Sequence, residues 1–261
     1  MKKSKFLLFN FCLLFLSVLT LDSCISKKKL VYFQAMDTTA TRLIANPQPE
    51  YHLQPRDIIS IRIKTLDEKT AEYFNIFPNN QFQQINPAGL YINGYSIDTE
   101  GNISLPEIGT VKVSGLTLTE AQKKVQEDLN KYISNASLLV KLVSFKVTVL
   151  GEVRAPGYFY VYNERVTVLE ALGLAGDLTD YGQRDNVTLI RQVEGGSKAV
   201  LINLKDPNLI ASPYYYVMPN DVLYVQPLKA KLDRGNLGTL NVVSLVFGLI
   251  STTVLLLNYL K

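Results

Sequence analysis

The chain has 261 residues, 47% hydrophobic and 19% charged, with a formal net charge of +4. That balance excludes a disordered tail and a strongly basic nucleic-acid binder, and leaves enough length to bury one or two cores. One histidine (His52), two cysteines (Cys12, Cys24) and no tryptophan leave no basis for a His-based zinc site or a cysteine cluster; no cofactor is expected.

Lys2, Lys3 and Lys5 precede an apolar run from Phe6 to Leu21, broken by Asn10, Ser17 and Thr20. A basic start followed by a short apolar stretch is the layout of a secretory signal, expected over 1–23. The run ends in Leu21-Asp22-Ser23-Cys24, which resembles the lipobox of exported bacterial lipoproteins. That resemblance implies cleavage before Cys24, a thioether to diacylglycerol and an acylated amino terminus. Several acyl chains give stable attachment where one is marginal. The alternative is an uncleaved membrane helix with an incidental cysteine. With Cys12 removed the mature chain keeps Cys24 alone, so no internal disulfide is expected.

Residues 24–49 are polar, with Lys27-Lys28-Lys29, Pro47 and Pro49, and read as a tether. Asp57 to Lys64 alternates through Ile59, Ile61 and Ile63, the period of a half-buried strand. Residues 66–95, rich in Asn, Gln and aromatics, read as a long excursion. Short strands then alternate with turns at Glu100-Gly101-Asn102, Pro106 and Gly109. Thr117-Leu-Thr-Glu120 is a capping box opening an amphipathic helix with Leu118, Ala121, Val125, Leu129 and Tyr132 on one face.

Two alternating strands are expected over 138–143 and 145–150, then a turn through Gly151 to Gly157 into Tyr158–Val161. A second box, Thr167-Val-Leu-Glu170, opens a short helix. Strands near 187–190, 200–204 and 222–225 complete a small α+β unit. The segments Pro55-Arg-Asp57 and Pro219-Asn-Asp221 echo each other, each feeding an apolar strand. A catalytic reading needs Asp57 and Asp221 to meet in space; the plainer reading makes both turn residues.

These residues resemble the outer-membrane polysaccharide export family. The match runs through Tyr51-x-Leu53-x-Pro55-x-Asp57, Asp98-x-x-Gly101, Pro106, Gly109 and Gly115-Leu-Thr117, then Val149-x-Gly151-x-Val153-x-x-Pro156-Gly157 and Thr167-Val168-x-Glu170. Position 56 is Arg where the family usually has Gly. The resemblance implies an export domain over 50–143, a β-grasp domain of the SLBB type over 144–228, and family turns at Asp57, Gly101, Pro106, Gly109, Gly115, Gly151, Gly157 and Asp221. The fold class is α+β: two small mixed domains plus a C-terminal transmembrane helix.

After the basic linker 229–238, residues 239–261 are long enough to cross a bilayer core. Asn241, Ser244, Gly248, Ser251 and Asn258 recur at near-heptad spacing, interrupted at Leu255, as one polar stripe. Such a stripe either lines a watery lumen or packs helix on helix, and both uses need several copies. The expectation is a channel at the bacterial outer membrane, lipid-anchored, with its soluble domains in the periplasm. Its implied partners are the polysaccharide cargo, further copies in an octamer-like ring, membrane lipid and an inner-membrane chain-length regulator; nucleic acid is not among them. Two rivals stand beside it. One is a periplasmic adaptor binding glycan through its tyrosines; the other is a glycan-processing enzyme using two of Asp98, Glu100, Glu107, Glu152 and Asp177.

Overall fold

The computed structural model describes residues 30–34, 43–46, 48–66, 73–75, 89, 92–229, 231 and 238–259, with side chains of the last helix described from Ser244 onward. Within these residues the chain is mixed α and β, in two small units followed by a helix. The expected signal segment 1–23 and Cys24 lie outside the described residues.

In the first unit, β1 (Ile58–Lys64) is the central strand of a three-stranded antiparallel sheet. It pairs with β2 (Tyr95–Ser96) on one side and with β5 (Ser137–Leu142) on the other. The period-two pattern is realised directly: Ile59, Ile61 and Ile63 are buried, and their cross-strand partners on β5 are Leu142, Val140 and Leu138. Beyond β2 the open side of β1 is met by Asn75, whose side chain accepts from the Ile63 N–H and donates to its carbonyl, both at 3.0 Å. One amide thus stands in for a strand partner, which the Asn-rich excursion did not reveal.

A hairpin of β3 (Asn102–Leu105) and β4 (Gly109–Lys112) precedes α1 (Leu118–Leu129). The Thr117–Glu120 box forms as expected: Glu120 N–H donates to Thr117 Oγ1 and Thr117 N–H to Glu120 Oε2. Ala121, Val125 and Leu129 are buried. Tyr132 leaves the expected apolar face, because the helix ends before it and the turn carries its ring outward; Ile133 is buried in its place.

The second unit is a five-stranded sheet in the order β10-β9-β12-β6-β7, formed by β6 (Lys146–Gly151), β7 (Gly157–Tyr160), β9 (Gly182–Val193), β10 (Gly196–Ile202) and β12 (Val222–Pro227). β12 runs parallel to β6 and the other pairings are antiparallel. A short pair, β8 (Val166–Thr167) with β11 (Tyr216–Val217), leads into α2 (Val168–Leu174), capped by the second box. Val168, Ala171 and Leu172 of α2 join Val147, Val149, Val187, Leu189, Leu223 and Val225 of the sheet in one core.

Gly151 is where β6 passes β12. Its φ is +89°, and an added Cβ would stand 2.0 Å from the Val225 carbonyl oxygen. No other residue fits there.

Among the described residues, nothing covers the opposite face of this sheet. The register lines up Leu150, Tyr224, Thr188 and Leu201 in one row, and Tyr158, Thr148, Val222, Ile190 and Ala199 in the next. Neither row holds a charge, and Tyr158 and Leu201 are 66% and 67% exposed.

The segment expected to be a tether touches this second unit at several described points. Phe33 and Gln34 donate their N–H groups to the Leu204 and Lys205 carbonyls at 3.1 and 2.7 Å. The Tyr32 hydroxyl donates to Asp177, and the buried Arg184 guanidinium sits 5.3 Å from its ring centroid. Further on, the Asn46 amide donates to the Tyr216 hydroxyl at 3.3 Å. Residues 31–34 therefore form a strap on the second unit before the chain enters the first.

The last helix is α3 (Gly238–Tyr259). Among the described residues no helix is long and apolar enough to cross a membrane. The expected transmembrane helix over 239–261 is therefore not supported among the described residues.

Candidate functional site

The two echoing segments fold into the same turn. Asp57 N–H donates to the Gln54 carbonyl, and Asp221 N–H to the Met218 carbonyl, both at 3.1 Å. Each aspartate then reaches back: Gln54 N–H donates to Asp57 Oδ2 at 2.9 Å and Met218 N–H to Asp221 Oδ2 at 2.7 Å. Proline fixes φ at the second position, and the third is left-handed, Arg56 at +77° and Asn220 at +67°. The turn at 55–57 thus keeps the conformation a glycine at 56 would take, with an arginine bearing the strain.

Both carboxylates are buried and engaged. Asp57 is 3% exposed, accepts from the Tyr51 hydroxyl at 2.7 Å, and meets Ser144 Oγ at 3.4 Å. Asp221 is 0% exposed and accepts from Arg191 Nε at 3.0 Å and Nη2 at 2.7 Å. Arg191 Nη2 also donates to the Tyr216 carbonyl at 3.0 Å. Burial raises both carboxyls above the usual range; Tyr51 and backbone donors oppose this at Asp57, and Arg191 does so at Asp221. The Tyr51 hydroxyl is likewise pushed up, first by burial and then by the charge of Asp57.

The turns belong to different units but border one space. A cleft of about 700 Å³ lies between the units, with Tyr51, Arg56 and Asp57 on one wall and Lys146, Tyr160 and Arg191 among the residues facing them. One backbone bond from each unit borders it: Val143 N–H donates to the Ile58 carbonyl at 2.9 Å in the first, and Asn220 N–H to the Lys146 carbonyl at 2.8 Å in the second. Asp57 and Asp221 therefore come to one region, yet the oxygens of each are taken up by its own turn and that turn's neighbours. Neither is free to act as an acid or base.

The other motif residues are spread through the fold. Gly101 (φ +88°) lets Ser114 close against it, with an added Cβ standing 2.4 Å from the Ser114 Cβ. Pro106 lies in the β3–β4 connection and Gly109 opens β4, and Gly115 (φ +81°) donates its N–H to the Leu53 carbonyl at 2.8 Å. Gly157 opens β7 with nothing within 4 Å of an added Cβ.

The carboxylates weighed for catalysis do not converge. Asp98 accepts from Asn102 N–H at 2.8 Å; Glu152 accepts from Thr179 and Lys231; Asp177 accepts from Tyr32 and from Leu178 N–H. None of these, nor Glu100 or Glu107, lines the cleft. His52 does, with its backbone bridged to Thr117. Arg191 and Lys146 went unremarked in the sequence, where each reads as an ordinary residue of an alternating strand.

On α3, Ser244, Gly248 and Ser251 are exposed, as is Asn258; the side chain of Asn241 lies outside the described residues. Ser251 Oγ donates to the Gly248 carbonyl at 3.0 Å, Thr252 Oγ1 to the same carbonyl at 2.9 Å, and Thr253 Oγ1 to the Leu249 carbonyl at 2.7 Å. These hydroxyls are satisfied within the helix itself.

Comparison with known proteins adds four findings. Residues 45–143 match the family described as polysaccharide biosynthesis/export protein, and residues 146–201 match the SLBB domain. The chain is 27% identical over 164 residues to the EPS I polysaccharide export outer membrane protein EpsA of Ralstonia solanacearum, covering 61% of this chain and 43% of that protein. It is 33% identical over 96 residues to the exopolysaccharide production protein ExoF of Rhizobium meliloti, covering 34% of this chain and 23% of that protein. The chain thus spans less than half the length of these relatives.

Proposed function

We propose, from the premise that this chain belongs to the outer-membrane polysaccharide export family, that it is one subunit of a conduit carrying capsular or extracellular polysaccharide across the periplasm and outer membrane. The observation that carries this reading is the order of parts: an export domain, an SLBB domain and an apolar helix, in succession on one chain. Passage of a polymer needs a hydrated path rather than chemistry, and a wall of hydroxyls and amides exchanges weak hydrogen bonds without trapping it. The chain in this reading is a transporter and catalyses nothing.

In the assembled state lipids on Cys24 hold the inner leaflet of the outer membrane. Residues 239–261 of several copies gather into a transmembrane barrel with Asn241, Ser244, Gly248, Ser251 and Asn258 facing a lumen or a neighbouring helix. The self-satisfied hydroxyls of α3 support this, because a hydroxyl bonded to its own helix is tolerated in hydrocarbon. The uncharged, tyrosine-bearing open face of the second unit supports association with neighbours, since interface cores are poor in charge and rich in aromatics. An octamer-like ring then meets an inner-membrane chain-length regulator to complete the route.

The test is a subunit count by mass measurement on the detergent-extracted complex, joined to deletion of residues 239–261. A closed oligomer is expected, and the deletion abolishes export while the remainder stays folded. A monomeric native protein would favour the adaptor, and export persisting after the deletion would remove α3 from the path. Cys24→Ala should abolish lipid labelling; unchanged labelling refutes the anchor.

A further inference from the structure

The cleft between the two units presents donors in excess of acceptors. Its one buried aspartate, Asp57, has its oxygens filled by Tyr51, Gln54 N–H and Ser144, while Asp221, behind the second turn and outside the lining, is filled by Arg191 and Met218 N–H. Two cations on its walls, Arg56 and Lys146, have no ion-pair partner among the described residues. Gln192 and Asn220 add side-chain amides, and Tyr160 adds an aromatic wall. One further acid, Glu50, is exposed at the rim.

A second observation points the same way. Arg56 holds φ at +77°, a conformation that costs every residue except glycine. The residue is exposed among the described residues, and its backbone makes the turn, donating to the Ile97 carbonyl at 2.9 Å. What the arginine adds is a guanidinium at the mouth of a concavity whose size suits two or three sugar rings.

We propose that this cleft binds a saccharide bearing an anionic substituent, its carboxylate or phosphate held by Arg56 and Lys146 and a ring laid against Tyr160. That the anion is carried on a saccharide rests on the export reading above; the cationic cleft itself does not. The site acts on the polymer at the junction of the units, outside the helical path through the membrane.

The experiment is calorimetric titration of the detergent-solubilised full chain with three probes: a glucuronate-containing tetrasaccharide, a neutral glucose tetrasaccharide, and inorganic phosphate. The acidic tetrasaccharide should bind about tenfold more tightly than either of the others. Arg56→Gly, which relieves the strained turn and so keeps the fold, and Lys146→Gln should each weaken it about fivefold and leave the neutral probe unchanged. Equal affinity for the neutral probe, phosphate binding as tight as the acidic sugar, or indifference to both substitutions overturns the proposal. A subunit count on the same samples separates the two readings: an intact ring that ignores the acidic sugar sinks this site and leaves the conduit standing. A monomer that still binds it selectively sinks the conduit and leaves the site.

Discussion

Removing the guanidinium of Arg191 tests the account of the junction most sharply. Asp221 is 0% exposed, and Arg191→Met would strip it of every donor except the Met218 N–H. Two states then remain open to it. Staying ionised leaves a buried charge without its counterion, at about 3–5 kcal/mol. Taking a proton costs about 1.4 kcal/mol for each pH unit above the unfolded value near 3.9, so about 1.5 kcal/mol at pH 5 and about 4 kcal/mol at pH 7. The protonated route sets the loss in mild acid, and the two routes converge near neutrality. With a urea slope of about 1.5 kcal/mol per molar, the second unit's midpoint should fall by roughly 2–3 M at pH 7 and by about 1 M at pH 5. Far-UV circular dichroism of the detergent-solubilised chain is the assay, since there is no tryptophan to follow. Arg191→Met combined with Asp221→Asn should recover most of the loss, because the amide oxygen still accepts from Met218. An equal loss at both pH values, or no recovery in the double variant, refutes the reasoning.

Arg56→Gly exchanges about 1–2 kcal/mol of left-handed strain for about 0.5–1 kcal/mol of glycine entropy, so the first unit should gain about 0.5 kcal/mol in urea unfolding. Gly151→Ala places a methyl against the Val225 carbonyl and should cost more than about 3 kcal/mol, whereas Gly157→Ala, in open space, should stay within about 0.5 kcal/mol; thermal melts of the pair compare them. Thr117→Ala and Thr167→Ala each remove a cap and should lower stability by about 1 kcal/mol, in separate units. Burial holds Asp57 and Asp221 above the unfolded carboxyl value, so their ionisation weakens the fold as pH rises through the interval above about 4. Glu152 and Asp185, lowered by Lys231 and Lys205, lose their contribution as pH falls below that interval. The urea midpoint should therefore peak near pH 5, and Asp57→Asn should flatten the alkaline side; a midpoint rising steadily to pH 8 contradicts it.

Local physics was readable before any coordinates. Thr117-x-x-Glu120 and Thr167-x-x-Glu170 name their own helix starts because both partners of each box lie within four residues. The Ile59-Ile61-Ile63 alternation names its own face. What lay beyond reach were relations set by the whole fold. β9 runs from Gly182 to Val193, well past the apolar stretch around 187–190, because it pairs β10 on one side and β12 on the other. The parallel neighbour of β12 is β6, more than 70 residues away in the chain. The Pro-x-Asp echo revealed two turns but not their meeting across one cleft, nor that Arg191 would complete the second. Asn75 and Tyr32 looked like filler in polar stretches, since one amide against a strand edge and one ring under an arginine leave no periodic trace.

The strap at residues 31–34 carries a mechanical consequence. From Cys24 to Val31 the backbone can extend about 25 Å at most, and from Leu228 to Gly238 about 35 Å. If, as proposed, Cys24 carries acyl chains and α3 lies in the bilayer, both moorings would end on the second unit and keep it within that range of the inner leaflet. A pull from the N-terminal side would then meet Asp177 and Arg184 at Tyr32 first, and next the Leu204 and Lys205 carbonyls at Phe33 and Gln34, all of them on the second unit.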